Sequence, residues 1–455
     1  MTKKNMCVLN IVLLVTVFGV FVNAQQASEK VISKIDIISY IQDSFVVSPD
    51  NRHVAFVIRS GHKCAVVLDG KQDSLYDGIG KSSLNFSPDS KKAAYIAQSG
   101  NDWFVVVNGM QEKHYDGIIE ETLKFSPDGS KTVYGAKTGS KCFVVNAGVE
   151  GKLYDGVENL IFSSDGKSFA YIAHSGNKLF LVENGIEGKQ YDSYGKGSLI
   201  FSPDGKRTAF AAREGDKWFV VQDGKEEKQY DAIGNLIFSP KGDKIAYYAE
   251  SANKWFVVED GKEELKYDGI SSLIFSPDGK SLAYIAKSND KWAAIINGEK
   301  NKEYDAINGI TYSENSKKFA YEAVTGKKCF IVENGKEYKQ YDFIAKGSLS
   351  FSKNGNIIAY IAKSGNQWFA VDNGKEEKSY QSAGNLVFSP DGKKFAYWAH
   401  KGNKYFVVAD GVEGKAYESL ITKGGGKIVF DSPRSLHYLA LTDDNIYLVE
   451  STLEF

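Results

Sequence analysis

The chain has 455 residues, of which 42% are hydrophobic and 13% aromatic. Its 56 basic and 57 acidic residues nearly cancel, which excludes the positive field by which many proteins attract nucleic acid. The 26 tyrosines and 27 phenylalanines favour strands over helices, and helical signals are absent throughout. The composition therefore predicts an all-β protein with ample material for a packed core.

The first 24 residues have the pattern of a secretory signal peptide. Two lysines are followed by the apolar run Val8–Val22 and by small residues that end at Ala24. The alternative is an uncleaved membrane anchor, but the apolar run is short and contains Asn10. We therefore predict cleavage after Ala24, a mature chain 25–455 without a membrane span, and a periplasmic or secreted location.

The rest of the chain is a repeat with a period of 37 or 39 residues, lengthened to 42 at the last copy. Leu199–Lys206 shows the typical text, Leu-Ile-Phe-Ser-Pro-Asp-Gly-Lys. Each copy has one anchor residue in this segment, and the eleven anchors are Val47, Phe86, Phe125, Phe162, Phe201, Phe238, Phe275, Tyr312, Phe351, Phe388 and Phe430.

Each copy reads as four short strands joined by tight turns. An Ala-Tyr strand follows the anchor strand, a strand such as Trp103–Val106 comes next, and a segment ending in Tyr-Asp closes the copy. Proline two residues after most anchors, and Asn-Gly or Asp-Gly later, supply the turns. The middle strands are apolar on both faces, which is typical of sheets covered on both sides. The pattern predicts a four-stranded antiparallel meander in every copy.

The segments Phe275–Tyr284 and Phe388–Tyr397 carry Phe-Ser-Pro-Asp-Gly-Lys-x-x-Ala-Tyr. This motif resembles the WD-like β-propeller repeat of the Tol-system periplasmic propeller and of the non-catalytic propellers of prolyl-oligopeptidase-like peptidases. The resemblance implies a propeller in which the anchor strand is innermost and the Tyr-Asp strand outermost. Eleven copies exceed the usual four to eight blades, so one wide ring and two tandem rings are both possible. We slightly prefer two rings.

The last copy lacks a fourth strand, because the chain stops soon after Ile446–Val449. The segment Val31–Ile38 is able to supply it, which would pair the two termini and remove exposed sheet edges. We therefore predict that the termini together complete one blade.

Three cysteines of the predicted mature chain, Cys64, Cys142 and Cys329, occupy the same position in three different copies. Equivalent positions in different blades lie too far apart for a disulfide or a shared metal, so we predict free thiols and no metal or cofactor. Tryptophan fills this position in five other copies. The indoles could stack on sugars, but their place at the start of an apolar strand favours an inter-blade core.

Two groups of residues are candidates for ligand contacts. The Tyr-Asp pairs could face a ligand as a ring of carboxylates, although their uniform repetition favours local hydrogen bonds within turns; the acids are Asp77, Asp116, Asp155, Asp192, Asp231, Asp268, Asp305 and Asp342. The links between each Tyr-Asp pair and the next anchor vary in length, and we expect them on one rim, in contact with a partner. Four of these links carry Lys81, Lys196, Lys346 and Lys423.

The chain contains no nucleophile elbow, paired-cysteine metal motif, phosphate-binding loop or calcium loop, so we predict that it is not an enzyme. The leading hypothesis is an exported propeller scaffold that binds a protein or peptide through loops on one rim. The alternative is a glycan-binding or glycan-cleaving propeller, which a large exposed cluster of aromatic side chains would favour.

Overall fold

The computed structural model describes residues 25–453, so the predicted signal peptide and its cleavage site lie outside the described residues. The strands of this range form eleven antiparallel sheets, which we number as blades 1 to 11 in the order of the repeats. The predicted all-β fold and the four-stranded antiparallel repeat are confirmed. Between residues 25 and 453 there is no helix with the length and hydropathy that crossing a membrane requires.

The second and third strands form the main hairpin of each blade. The second strands are Val54–Ser60, Ala93–Ser99, Thr132–Thr138, Phe169–Ser175, Thr208–Glu214, Ile245–Ser251, Leu282–Ser288, Phe319–Thr325, Ile358–Ser364, Phe395–Lys401 and Ser435–Thr442. The third strands are Lys63–Leu68, Asp102–Val107, Lys141–Asn146, Lys178–Glu183, Lys217–Gln222, Lys254–Glu259, Lys291–Ile296, Lys328–Glu333, Gln367–Asp372, Lys404–Ala409 and Asn445–Leu453.

The first and fourth strands lie at the two edges of each blade. The continuous first strands are Gly156–Phe162, Ala232–Phe238, Gly269–Phe275, Ala306–Tyr312 and Ser382–Phe388. The other first strands are Val46–Val47 and the split pairs Gly78–Ile79 with Asn85–Phe86, Gly117–Ile118 with Lys124–Phe125, Ser193–Tyr194 with Ile200–Phe201, Phe343–Ile344 with Ser350–Phe351, and Ser419–Leu420 with Val429–Ser432. The fourth strands are Gln25–Lys34, Lys71–Gln72, Met110–Gln111, Val149–Glu150, Ile186–Glu187, Lys225–Glu226, Lys262–Glu263, Glu299–Tyr304, Lys336–Glu337, Lys375–Glu376 and Val412–Glu413.

The Ser-Pro-Asp-Gly motif joins the first strand to the second by a turn that also contacts the preceding blade. In blade 3 the Ser126 hydroxyl donates to Asp128 (2.6 Å) and accepts from the backbone N–H of Lys131 (3.0 Å). Gly129 has a φ of +70°, and a Cβ there would lie 2.6 Å from a carboxylate oxygen of Asp89 in blade 2. Glycine is therefore required both by the backbone conformation and by the close approach of the neighbouring turn.

The hydrophobic core consists of clusters between consecutive blades. The cluster between blades 2 and 3, for example, packs Ile96 and Val105 against Tyr134 and Phe143, all nearly inaccessible to solvent. Eleven such clusters follow one another, and the last joins blade 11 to blade 1. The blades thus form one continuous ring, and the preference for two tandem rings is wrong. A boundary between two rings would interrupt this series of clusters, and each of the eleven junctions has its cluster.

The order of strands within each blade agrees with the propeller repeat. The first strands of neighbouring blades contact one another, as Val46–Val47 and Asn85–Phe86 do, and so lie nearest the axis. The fourth strands pair only with the third strands and form the outer edge. The prediction that the anchor strand is innermost and the Tyr-Asp segment outermost is confirmed.

The outer edges of consecutive blades are joined by a repeated ion pair. In blade 3 the Lys152 ammonium and the Tyr154 hydroxyl both donate to Glu187 of blade 4, at 2.6 and 3.0 Å. The tyrosine of the Tyr-Asp pair therefore hydrogen-bonds to the following blade. The same lysine–glutamate contact recurs as Lys113–Glu150, Lys189–Glu226, Lys228–Glu263, Lys302–Glu337, Lys339–Glu376, Lys378–Glu413 and Lys415–Glu29.

Ring closure depends on the N-terminal strand Gln25–Lys34, which pairs antiparallel with Asn445–Leu453 as the fourth strand of blade 11. The predicted pairing of the termini is confirmed, although the strand begins before Val31 and ends at Lys34. Glu29 accepts from Lys415 and Tyr417 of blade 10, in the place that the repeat glutamates hold at other junctions. The N-terminal strand thus reproduces the contacts of a repeat from which it is far away in sequence.

The seam between blades 1 and 11 also has a charged cluster of its own. Arg52 donates to Asp431 (2.9 Å) and Glu450 (2.6 Å). The buried His437 ring lies between the Asp431 carboxylate (2.9 Å) and the Asp50 carbonyl (2.8 Å). These contacts connect the first Ser-Pro-Asp turn with the last blade, so they support closure.

A chain that begins at Ile35 tests the role of the N-terminal strand. We expect its melting temperature to fall by on the order of 5–10 °C relative to the chain that begins at Gln25, because the edge of Asn445–Leu453 becomes unpaired. Thermal unfolding followed by circular dichroism measures the difference. Glu29→Gln, which keeps the strand, is the control and should lose much less. An unchanged melting temperature in the shortened chain would contradict strand-mediated closure.

Candidate functional site: tips on the channel wall

The first strands are of two kinds, and the difference accounts for the variable links of the sequence. In five blades the strand is continuous, with a small bulge such as the one at Asn159, whose φ is +55°. In six blades a longer turn interrupts the strand midway along its unpaired edge. We call the two exposed central residues of these turns the tips: Gln42-Asp43, Lys81-Ser82, Glu120-Glu121, Lys196-Gly197, Lys346-Gly347 and Thr422-Lys423 in blades 1, 2, 3, 5, 9 and 11.

A serine or threonine hydroxyl fixes most of these turns. In blade 2 the Ser83 hydroxyl donates to the Gly80 carbonyl (2.7 Å) and accepts from the Ile96 N–H of the second strand (3.0 Å). Thr122 makes the same two contacts in blade 3. Where the first strand is interrupted, the hydroxyl accepts the hydrogen bond from the second-strand N–H that a backbone carbonyl would otherwise accept. Buried hydrogen bonds therefore hold the tips in place.

The structure places Lys81, Lys196, Lys346 and Lys423 at these tips. The first strand resumes pairing after each turn, so the turns project from the middle of the innermost strand and not from its end. Contact of these lysines with a partner stays a prediction. All four lysines are exposed, and within residues 25–453 none has an ion pair. They line the central channel at blades 2, 5, 9 and 11.

Four consecutive blades, 11, 1, 2 and 3, all carry tips, whereas elsewhere a tip stands alone. Along this run the charges alternate, with Lys423, Asp43, Lys81 and then Glu120-Glu121. The tip of blade 11 is held against blade 1 by the N–H of Val47, which donates to the Gly424 carbonyl (2.7 Å). This run breaks the symmetry of the ring on one side of the channel.

The eight predicted aspartates join consecutive blades on one face. Asp155, where the chain crosses from blade 3 to blade 4, accepts from Lys141 (2.6 Å) and from the backbone N–H of Gly176 in the next hairpin (2.7 Å). The same amide contact is made by Asp77, Asp116, Asp192, Asp231, Asp268, Asp305 and Asp342. The carboxylates thus bind backbone amides, as the local interpretation expected, although the amides belong to the following blade. A ligand role for them stays a prediction.

Departures from this contact follow from the sequence. Asp116 lacks a lysine partner because Asp102 stands where most other copies have lysine. In blade 9 glutamine occupies both positions, and Gln381 still accepts from the Gly402 N–H (2.6 Å). The amide contact is therefore kept without the charge, which identifies the backbone N–H as the constant partner.

Ionic partners lower the pKa of these aspartates. The hydrogen bond from Lys141, followed by that from the Gly176 N–H, lowers the pKa of Asp155 below its ordinary value. The pKa is lowered in the same way for Asp192, Asp231, Asp268, Asp305 and Asp342. The pKa of Asp77 is also lowered, first by the Gly100 N–H and then by the charge of Lys63. These groups remain anionic at neutral pH, so their charges are available to the lysines throughout.

The position shared by cysteine and tryptophan lies at the junction of two blades. Trp103 is half-buried and packs against the cluster that contains Ile118 and Leu123 of the next blade. The three cysteines are free thiols, and Cys142 and Cys329 are buried. Cys64 is more exposed, in the equivalent cluster with Ile79 and Leu84. The interpretation of this position as inter-blade core agrees with these contacts.

Two cavities accompany the symmetry breaks. A cavity of about 540 Å³ at the seam is lined by Arg52, Asp431 and Glu450, whose charges are already paired with one another. A second cavity, of about 290 Å³, lies between the tips of blades 1 and 2, with Cys64 in its wall. The sequence did not predict this cavity, because cysteine also replaces tryptophan at Cys142 and Cys329, which are both buried. No cluster of potential metal ligands occurs within residues 25–453.

The sequence matches no protein-family model and no curated protein. Among solved structures, a crystal structure of the eukaryotic initiation factor is 14% identical with a TM-score of 0.41, covering 80% of this chain and 97% of its own. TolB from Acinetobacter baumannii is 15% identical with a TM-score of 0.25, covering 58% and 80%. The β-propeller domain of the Trilobed protease from Pyrococcus furiosus is 14% identical with a TM-score of 0.29, covering 59% and 96%.

The lowered pKa values of the aspartates predict a loss of stability in acid. A group whose pKa is depressed by folding stabilises the folded state above its unfolded pKa of about 3.9, and this contribution is lost as the pH falls further. The triple variant D155N/D231N/D305N keeps the acceptor for each backbone N–H and removes the charge. Its melting temperature should fall less than that of the wild type between pH 6 and pH 3.

The control for this experiment is D216N/D290N, which removes two charges from exposed hairpin turns. Its melting temperature should change with pH as the wild type does. An equal fall in melting temperature between pH 6 and pH 3 in all three proteins would show that the inter-blade aspartates do not cause the pH dependence.

Proposed function

We propose that this protein is an exported, non-catalytic β-propeller scaffold that binds a protein or peptide partner through the tips of blades 11, 1, 2 and 3. The single observation that supports this proposal is the clustering of tips on consecutive blades. A ring of equivalent modules offers the same surface at every junction, so a specific partner requires a place where the modules differ.

The chemistry of the tips fits a polypeptide partner. Their alternating charges, Lys423, Asp43, Lys81 and Glu120, are exposed and can pair with side chains of both signs on an extended segment. The turns that carry them are held by Ser44, Ser83 and Thr122 hydroxyls, so little conformational entropy is lost when a partner binds.

The alternative is a glycan-binding or glycan-cleaving propeller. Sugar stacking requires exposed aromatic faces, and among the strongly exposed large apolar side chains of residues 25–453 only Phe343 is aromatic. The tryptophans of the third strands are half-buried in the inter-blade clusters instead. We therefore place the polypeptide partner first.

A capture experiment with matched lysine variants tests the proposal. Immobilised protein, residues 25–455, is incubated with the envelope fraction of the source cells, and retained proteins are identified by mass spectrometry. The tip variant K81S/K423S should retain a specific partner at least about tenfold less than the wild type, because steering and pairing by the two lysines of the proposed site are lost.

The control variant K206S/K393S removes the same charge from two Ser-Pro-Asp-Gly turns at the end of the first strands. It should retain the partner as the wild type does. Equal losses in the two variants would reduce the effect to net charge and contradict a tip-specific site. Retention on a glycan array together with no retained protein would favour the glycan alternative.

A further inference from the structure

The cavity lies between blades 1 and 2, at one of the junctions that have no indole. Cys142 and Cys329 also stand where other blades have tryptophan, but both are buried, whereas Cys64 lies between two blades that both carry tips. At five other junctions the first inward position of the third strand is tryptophan: Trp103, Trp218, Trp255, Trp292 and Trp368. In blade 1 this position is Cys64, whose backbone makes the same bridge to Tyr76 that Trp103 makes to Tyr115. The backbone is therefore equivalent, and the smaller side chain leaves space beside it.

Blade 1 has kept the partner that an indole has elsewhere. The residue paired with the tryptophan across the hairpin places its cation over the ring in three blades, as Arg213 over Trp218, Lys287 over Trp292 and Lys363 over Trp368, at 5.8, 5.9 and 5.6 Å from the ring centroid. In blade 1 the residue paired with Cys64 is Arg59. An aromatic ring beside Cys64 would therefore meet a cation, as the three indoles do.

The walls of the cavity suit an apolar ring with a polar edge. Val57, Ile79 and Leu84 form apolar walls, and Cys64 adds a soft, polarisable thiol. The exposed tip residues Asp43 and Lys81, one on each blade, both line the cavity. Their opposite charges can contact the N–H and C=O groups of a polypeptide whose side chain enters the cavity.

We propose that this cavity, at the junction of blades 1 and 2, binds an aromatic side chain, best a tryptophan, of a polypeptide partner. The inference rests on the proposed function and names the chemistry of the partner. Two junctions of this protein show what fits, because the repeat there packs an indole in this position against an isoleucine and a leucine of the following blade. Trp103 packs in this way with Ile118 and Leu123, and Trp218 with Ile233 and Leu236. Ile79 and Leu84 are their equivalents beside Cys64.

The probe is N-acetyl-tryptophanamide, and Cys64 is a built-in reporter. Cys142 and Cys329 are buried, so iodoacetamide should modify Cys64 first. If the probe binds with a Kd of about 1 mM, about 10 mM probe should slow alkylation of Cys64 about tenfold. N-acetyl-leucinamide at the same concentration should protect much less, because it lacks the ring. Peptide mass spectrometry measures the rate at each thiol.

Three variants separate the cavity from other effects, with saturation-transfer NMR of the probe as the readout. Cys64→Trp fills the cavity with the residue used at five other junctions and should abolish the probe signal. Leu179→Trp places an indole at the same position of blade 4 and should leave it unchanged. Arg59→Met should weaken binding about three- to tenfold, through loss of the cation.

Protection of Cys64 by the probe in the wild type, together with a probe NMR signal that is lost in Cys64→Trp and kept in Leu179→Trp, supports the inference. Absence of protection at about 10 mM probe, or an unchanged probe signal in Cys64→Trp, overturns it. If Cys64→Trp does not reach the wild-type melting temperature, the Arg59→Met affinity and the leucine probe decide. If the tryptophan probe does not bind, the result of the capture experiment is unaffected. If the capture experiment retains no partner, the proposed function is contradicted, whereas the result with the tryptophan probe still holds.

Discussion

The packing of each sheet against its two neighbours is the constraint on which the rest of the structure depends. Second-strand residues such as Tyr134 and Ala136 are inaccessible to solvent, and both faces of each sheet are covered by the adjacent blades. No blade can therefore bury its apolar faces alone, and the ring must be complete for every blade to be covered. This explains why the N-terminal strand Gln25–Lys34 is recruited to finish blade 11 and why Glu29 reproduces a contact of the repeat.

Much of the fold is determined by short sequence segments within each repeat, and these features allowed it to be predicted from the sequence. The Phe-Ser-Pro-Asp-Gly turn, the Asn-Gly turn and the two-sided apolar strands determine a four-stranded blade without any long-range information. The missing fourth strand at the C-terminus similarly pointed to the N-terminal segment. The number of rings could not be read in this way, because it depends on the angle between consecutive blades. That angle results from the packing of side chains such as Tyr134 and Phe143 across a junction, and every copy contains similar residues.

The location of the candidate site was predicted less well than its residues. Length variation between Tyr-Asp and the next anchor identified Lys81 and Lys423, but their position depends on where the strand resumes pairing. Asn85 and Phe86 return to the second strand after the turn, so the insertion faces the channel, whereas a loop at the end of the strand would face a rim. The aspartates were assigned to local turns, and their amide partners proved to lie in the next blade, which a single copy cannot reveal.

Because the blades repeat, a position where one blade differs from the others can be recognised by comparing equivalent residues. Each junction is an independent instance of one packing problem, so a junction that lacks the indole and also lies between two tips identifies a position where something else can bind. Cys64 differs from Trp103 at one side chain, while Arg59, Ile79 and Leu84 keep the surroundings that hold an indole elsewhere. A larger side chain in this space would stabilise the fold, because the atoms that line an unfilled apolar cavity lack van der Waals contacts. Its position between two charged tips, on the side of the channel where symmetry is broken, connects the cavity with binding.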